Sequence, residues 1–382
     1  MAIELEPAKT GEVRVHKNAF VHTGPGTIAG RYMRRFWQPV YRSEDLITGD
    51  AKPVKIMSQD FTLYRDEDGV AHAVGFRCSH RGAQLSVGFV EGNCIRCFYH
   101  GWVFDPKGQV IERPSEKARA TPSLNIDGYP TEEYLGLIFV YFGEGEAPPM
   151  WRFKSMERDG IRDVTVDVMP ANYFFSLENS ALHFSFVHRD LMEEKGITGT
   201  PEVRIEDTPW GHTAYSRWPN DAKENVAHKI MPNVGYIVPR AINMAKGVAH
   251  SLHVSFRVPI DDESHVTYRV TLIPVTGEDA QKILAGRSAS FYDRSVIPVL
   301  AERVLAGTLR LRDIQDRTHI EAVEDYVAQV AQGPVSTRED EHLASSDVAE
   351  AHFRKLWRRE LAALADGKPL TQWHLTEELE PQ

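Results

Sequence analysis

Apolar and polar residues alternate along two stretches, residues 250–260 and 265–275. Leu252, Val254, Phe256 and Val258 share one side of the first, and Val266, Tyr268, Val270 and Leu272 one side of the second. The polar run Asp261-Asp262-Glu263-Ser264 between them predicts a hairpin in an antiparallel sheet with one buried face. Farther along, the period becomes helical. Phe353, Leu356, Trp357, Leu361 and Leu364 recur at helix spacing, with Ser345 or Ser346 placed to cap the start and Gly367 to stop the end. A second helix shows the aliphatic face Ile320, Val323, Val327 and Val330, with Asp325 and Gln329 pointing the other way. Helices packed on an antiparallel sheet make this part an α+β domain.

Residues 54–141 carry a different pattern, of short apolar runs separated by turns. Asp68-Gly69 and Lys107-Gly108 read as turn signals, and the continuous run from Leu137 to Phe142 suits a fully buried strand. Residues 143–149 then read as a linker. Residues 23–41 open on a Gly/Pro turn cluster and continue as a short amphipathic helix with Tyr32, Met33, Phe36 and Trp37. The expected organisation is an amino-terminal segment, 1–42, packing on the carboxyl-terminal domain; a small all-β domain, 43–148; and the α+β domain, 149–382.

Composition narrows the functional classes. A net charge of −10 and a pI near 5.9 argue against a nucleic-acid partner, whose binding surface would be basic. No run of eighteen apolar residues predicts a membrane span, and the first residues lack the pattern of a signal peptide. The three cysteines all fall between Cys78 and Cys97, which is no disulfide framework, so a cytoplasmic protein is expected.

Those cysteines stand beside histidines. Cys78-Ser-His80 is followed, after sixteen residues, by Cys97-Phe-Tyr-His100. Two thiolates and two imidazoles suit a structural zinc ion or a Rieske [2Fe–2S] centre, in which cysteines hold one iron and histidines the other. Each loop offers one Cys and then one His, which favours the cluster; Cys94-x-x-Cys97 keeps a zinc knuckle open. A second constellation lies in Glu178-Asn179-Ser180-Ala-Leu-His183-Phe-Ser-Phe-Val-His188-Arg-Asp190. Histidines five apart lie about 140° apart round a straight helix and converge only if it bends, ends or bulges between them. Two histidines and one carboxylate form the facial triad of non-heme Fe(II) oxygenases. Composition leaves the carboxylate open among Asp316, Glu321, Glu324 and Asp325.

The first stretch resembles the Rieske domain of Rieske non-heme iron oxygenases. Cys78, His80, Arg81, Gly82, Ala83 and Leu85, then Cys97, Tyr99, His100, Gly101, Trp102, Phe104 and Asp105, match its two loops. The opening at residues 24–40 and the tail Asp325…Gln329…Gly333-Pro334…Arg338…Glu341-His342-Leu343…Ser346-Asp347 are similar to the phthalate dioxygenase and dehydrodivanillate O-demethylase branch. The resemblance implies a [2Fe–2S] cluster on Cys78, His80, Cys97 and His100, with Cys94 a spare thiol, and a mononuclear Fe(II) on His183, His188 and Asp325. It implies a terminal oxygenase that takes O2 and NADH-derived electrons from a separate flavin/iron–sulfur reductase or a ferredoxin. Electrons would cross between subunits, which implies a homotrimer or a multiple of three. The family usually carries an Asp that bridges the two centres three residues before the first iron histidine, where this chain has Ser180. Glu178 is expected to fill that role, with Asn179 and Asp190 the weaker candidates.

A stretch from Ile230 to Phe256, with Met231, Tyr236, Ile237, Val238, Ile242, Met244 and Val248 and few charges beyond Arg240 and Lys246, is the expected pocket wall. Such a lining favours an apolar aromatic substrate and monooxygenation, by ring hydroxylation or oxidative O- or N-dealkylation such as demethylation. Aromatic cis-dihydroxylation is the alternative. A zinc-binding scaffold and a Rieske electron carrier are the alternatives of other classes.

Overall fold

A computed structural model describes residues 5–7, 13–117, 121–221, 224–238, 251–376 and 379. They separate into two units. One holds His22–Met150 with Val258–Asp262, and the other holds Leu5–Val21, Trp151–Arg257 and the described chain from Glu263 onward. The segment 1–42 is thus divided after Val21. Strands β1 (Leu5–Pro7) and β2 (Val13–Val15) pair antiparallel in the second unit.

The first unit opens on helix α1 (Ile28–Met33), whose cap Thr27 accepts from the Gly30 amide at 3.0 Å and whose Tyr32 and Met33 are buried. Eleven strands follow: β3 (Gln38–Arg42), β4 (Ala51–Ile56), β5 (Gln59–Arg65), β6 (Ala71–Gly75), β7 (Phe89–Glu91), β8 (Cys94–Arg96), β9 (Val103–Phe104), β10 (Val110–Glu112), β11 (Gly128–Tyr129), β12 (Thr131–Tyr134) and β13 (Leu137–Val140). They form three antiparallel sheets, ordered β10-β9-β8-β7, β11-β6-β5-β4 and β12-β13-β3. The apolar run at Leu137 is the central strand of the third and is buried along its whole length. The turn at Asp68-Gly69 is closed by Asp66, whose carboxylate accepts from the Val70 amide at 2.7 Å and meets His72. Tyr64, Val74, Leu85, Ile95, Trp102, Phe104 and Val110 pack into one core, and that core includes Cys78 and Cys97.

The second unit continues with β14 (Ile161–Met169), α2 (Tyr173–Leu177), α3 (Ala181–Phe186), α4 (Arg189–Glu194), β15 (Glu202–Thr208), β16 (Gly211–Arg217), β17 (Asn225–Ile230), β18 (Val234–Val238), β19 (Leu252–Pro259) and β20 (His265–Ile273). Helices α5 (Gly277–Ala285), α6 (Ala289–Tyr292), α7 (Val296–Leu305), α8 (Ile320–Val330) and α9 (Val348–Ala365) come last. The seven strands make one antiparallel sheet, ordered β14-β20-β19-β18-β17-β16-β15. The alternation read at β19 and β20 corresponds to buried Leu252, Val254, Phe256 and Val258, and to Val266, Tyr268, Val270 and Leu272. This small, mostly β unit and the sheet-plus-helix unit are the α+β fold that the sequence pattern implies.

Helix α9 buries Phe353, Leu356, Trp357 and Leu361, each contributing about 1.5–3 kcal/mol of transfer free energy. Its cap is Asp347, not Ser345 or Ser346: the Asp347 carboxylate accepts from the Ala344 amide at 2.7 Å and closes the turn that leads into the helix. Gly367 follows the last turn, where Lys368 N–H reaches the Ala363 carbonyl at 2.8 Å. Among the described residues no helix is long and apolar enough to cross a membrane.

Candidate metal centres

The two Cys/His loops of the first unit repeat one backbone design. In the first, Cys78 N–H donates to Ala83 O at 2.8 Å and Gly82 N–H to Cys78 O at 2.8 Å. In the second, Cys97 N–H donates to Trp102 O at 2.7 Å and Gly101 N–H to Cys97 O at 3.0 Å. Both turns close on a glycine in the left-handed region, Gly82 at φ 73° and Gly101 at φ 74°, where a side chain would be strained. An arginine before each cysteine completes the clasp: Arg77 Nη1 donates to Gly82 O and Arg96 Nη1 to Gly101 O, both at 2.9 Å. Arg96 is itself held by Glu91 and Glu112. The second loop is the tip of the β8–β9 hairpin, whereas the first lies between two sheets and is narrowed by the isolated bridge Arg77↔Gln84.

The clasps turn both cysteines inward and both histidines outward. Cys78 and Cys97 are each 2% exposed, while His80 and His100 lie on the surface with ring centroids 4.6 Å apart. His80 also stacks on Trp102 at 4.8 Å. Burial pushes the Cys78 thiol up to about 11, opposed by the amide N–H groups of His80 and Arg81 and reinforced by the neighbouring Cys97. Amide donors aimed at a sulfur stabilise a thiolate once a metal has displaced its proton. A buried sulfur pair under an exposed imidazole pair fits the Rieske arrangement, with thiolates on the inner iron and histidines on the outer. Cys94 takes no part: its thiol donates to Asn93 Oδ1 at 3.0 Å.

In the second unit the helix does end between the two histidines. Helix α3 stops at Phe186 and α4 starts at Arg189, with His188 at the junction (φ −101°, ψ 30°), and the break swings its ring to 4.9 Å from that of His183. Asp325 arrives from α8. His183 Nε2 and His188 Nε2 are 3.2 Å apart, and each lies 3.5 Å from Asp325 Oδ1. A metal bonded at about 2.1 Å to each ligand separates its neighbours by about 3.0–3.4 Å for right-angled to tetrahedral bond angles, so this near-equilateral triangle fits one ion. The three side chains are the one group of this kind among the described residues.

Burial alone would raise the Asp325 carboxyl, but hydrogen bonding and charge from His183 and His188 hold it well below the usual range. His188 is pulled down by burial and pushed up more strongly by Asp325 and Glu324, to about 9. A bound cation takes over such carboxylate–imidazole attraction. Asn179 Nδ2 donates to Asp325 Oδ1 at 3.3 Å and steadies it.

Glu178 does not come to the histidines. Its oxygens are bound by Arg354 and Arg338, whose side chains are 6% and 1% exposed. Within the chain, two guanidinium groups thus hold this carboxylate. Asp190 is exposed beside Arg189. A carboxylate that does meet His188 is Glu324, at 2.8 Å from its Nδ1. Ser180 presents its backbone carbonyl to His183 Nδ1. The sequence held a partial signal for Glu324, a member of the acidic stretch, and none for the arginines, which lie 160 and 176 residues from Glu178. Of the expected pocket wall, Met231 and Tyr236 are fully buried; Arg240, Ile242, Met244, Lys246 and Val248 lie outside the described residues.

Comparison with known proteins supplies the family. Residues 36–130 match the Rieske [2Fe–2S] domain. The chain is 30% identical over 364 residues to the oxygenase subunit of 5,5'-dehydrodivanillate O-demethylase from Sphingobium sp., covering 90% of this chain and 79% of that one. It is 26% identical over 380 residues to the oxygenase subunit of phthalate 4,5-dioxygenase from Pseudomonas putida, covering 89% and 84%. Its fold is shared by NdmB of Pseudomonas putida CBB5, at a TM-score of 0.65 and 20% identity over 88% of this chain and 93% of that one. Relatedness across most of both chains, with a Rieske domain and a cage for one further metal, carries with it the Rieske cluster and the mononuclear iron. The chain belongs to the Rieske non-heme iron oxygenases.

Proposed function

We propose that this protein is a terminal oxygenase that monooxygenates an apolar aromatic compound, by ring hydroxylation or by oxidative O- or N-dealkylation such as demethylation. The carrying observation is the His183, His188 and Asp325 triangle in a chain that also has a Rieske domain. In this reading Cys78, Cys97, His80 and His100 hold the cluster, and the triangle holds the iron. The cluster supplies electrons, and the iron supplies an open coordination sphere for O2. The chain's own residues do the rest: Asn179 steadies Asp325, and Ser180 orients His183.

Two further observations support the substrate class. A cavity of about 160 Å³ lies beside the ligand segment, with Phe186, Met192, Ile197 and Trp218 on its apolar side and Arg189 and Glu193 at its polar side. A cavity of that size takes a benzene-sized ring. The dehydrodivanillate relative is named as an O-demethylase, and others as dioxygenase subunits, so dihydroxylation is the competing outcome. The partners in this reading are a flavin/iron–sulfur reductase that oxidises NADH, directly or through a ferredoxin, and further copies of this chain in a closed ring of three or a multiple of it, since a head-to-tail contact that closes makes a ring.

A surrogate reductase, NADH and isotopically labelled O2 test the reading on a panel of methoxylated, N-methylated and unsubstituted aromatics. One labelled oxygen in a hydroxylated product, or release of formaldehyde from a dealkylated one, is expected. Iron-loaded, cluster-reduced protein that labels nothing across the panel, or that gives only cis-diols, refutes monooxygenation.

A further inference from the structure

His188 is 2% exposed and has a defined neighbour on each ring nitrogen. Its Nε2 faces His183 Nε2 and Asp325 Oδ1, and its Nδ1 lies 2.8 Å from Glu324 Oε2. An imidazole ligates through Nε2 only when its proton sits on Nδ1. A carboxylate accepts hydrogen bonds and donates none, so Glu324 selects that tautomer and holds the ring plane. His183 receives the same service from a neutral group, the Ser180 carbonyl. The two iron-facing histidines are therefore oriented by unlike acceptors, one an acid side chain and one a backbone carbonyl. Glu324 is 6% exposed, so water is poorly placed to replace it. It also precedes Asp325 on α8, and one short piece of helix thus provides both a metal-facing carboxylate and the carboxylate that aims the opposite ligand.

We infer that Glu324 is a positioning residue of the mononuclear centre, which sets the tautomer and donor strength of His188 and thereby the affinity of the triangle for a divalent transition metal. This rests on reading His183, His188 and Asp325 as the iron ligands. The two ideas separate in one experiment. The full chain, with its cluster in place and its mononuclear metal removed, is titrated with Co(II) against a chromophoric chelator, and the visible d–d spectrum of the bound ion is recorded. Wild type, Glu324→Gln, Glu324→Ala and His188→Ala are compared, with cluster absorbance and urea unfolding as checks on the fold.

Loss of an outer carboxylate typically weakens a metal site 10–100-fold, so Glu324→Ala should fall in that range. Glu324→Gln is nearly isosteric and is expected to fold even where the alanine variant does not. Its amide oxygen still accepts from Nδ1 but without the charge, so an intermediate affinity and a shifted d–d spectrum are expected. Wild-type affinity and spectrum in Glu324→Gln, together with lost binding in His188→Ala, would overturn the role of Glu324 and leave the centre standing. Undiminished binding in His188→Ala would overturn the ligand assignment itself.

Discussion

The ammonium of Lys229, on β17, donates to the carbonyl of Asn179 at 3.1 Å and to that of Leu177 at 2.5 Å. It therefore ties the end of α2 to the residue whose side chain steadies Asp325. Burial lowers this lysine to about 8, with Arg257 lowering it further and Glu350 and Glu178 opposing. Below about pH 8 both folded and unfolded chains carry the proton, and the cost of burying the charge stands in full. Between about pH 8 and pH 10 the unfolded chain still holds the proton that the folded chain has lost, so stability from this group rises with pH. Urea unfolding at pH 7 and pH 10 should show wild type gaining about 2 kcal/mol relative to Lys229→Met across that interval. Equal pH slopes in the two proteins would contradict the buried ammonium.

Glu178 anchors the same segment from the other side. It is 8% exposed on its side chain, and Arg354 and Arg338 enclose it, with Glu341 sharing Arg354. Removing one partner of a buried ion pair leaves the others uncompensated, at a cost of about 3–5 kcal/mol. Glu178→Ala should show this in urea unfolding, and Glu178→Gln, which keeps one acceptor, should lose less. If the role is structural, reductant use and product formation in Glu178→Gln stay coupled. Uncoupled turnover in a stably folded Glu178→Gln would restore this residue as a participant in electron delivery.

These residues mark where the sequence was readable and where it was not. The Cys/His loops announce themselves because metal chemistry admits few residue types at few spacings, and β19, β20 and α9 because one face of each is apolar. Periodicity alone would leave the polar face of α8 in solvent. It is instead covered: Glu324 and Gln329 are buried, and Asp325 is turned toward His183 and His188. Periodicity reports where apolar side chains go, and it says nothing about polar side chains buried against each other. The surroundings of Glu178 were hidden for a related reason. Its neighbours in sequence lead to His183 and His188, but its neighbours in space are arginines from residues 338 and 354.

The change at Ser180 is supported by its surroundings. Ser180 lies beside Glu350, which is 9% exposed and whose carboxyl is raised chiefly by burial, with Ser180 and Lys229 opposing and Glu178 adding to the rise. An aspartate at 180 would set a third carboxylate beside Glu350 and Glu178. Ser180→Asp is therefore expected to lose about 1–3 kcal/mol in urea unfolding, the usual cost of a buried polar group left poorly paired. Ser180→Asp combined with Glu350→Gln should recover most of it, because the repulsion is removed. Wild-type stability in the single variant would show that Glu350 does not crowd position 180.

The paired clasps of the first unit make a final prediction about cysteines and glycines. Cys94 is turned to Asn93 while Cys97 faces the core with Cys78, so Cys94→Ser should keep the visible spectrum and iron and sulfide content of the cluster, and Cys97→Ser should lose them. Stoichiometric zinc that disappears in Cys94→Ser would point to a knuckle in place of the cluster. The glycines should differ in degree. Both have positive φ, which costs an alanine about 1–2 kcal/mol. At Gly82 a Cβ meets nothing within 4 Å, but at Gly101 it comes to 3.2 Å from Pro114 Cγ, so the neighbour must also give way. Heating while following cluster absorbance should bleach Gly101→Ala at a lower temperature than Gly82→Ala, with wild type above both. Arg96→Met should resemble Gly101→Ala, since it removes the donor on the Gly101 carbonyl and leaves Glu91 and Glu112 unpaired.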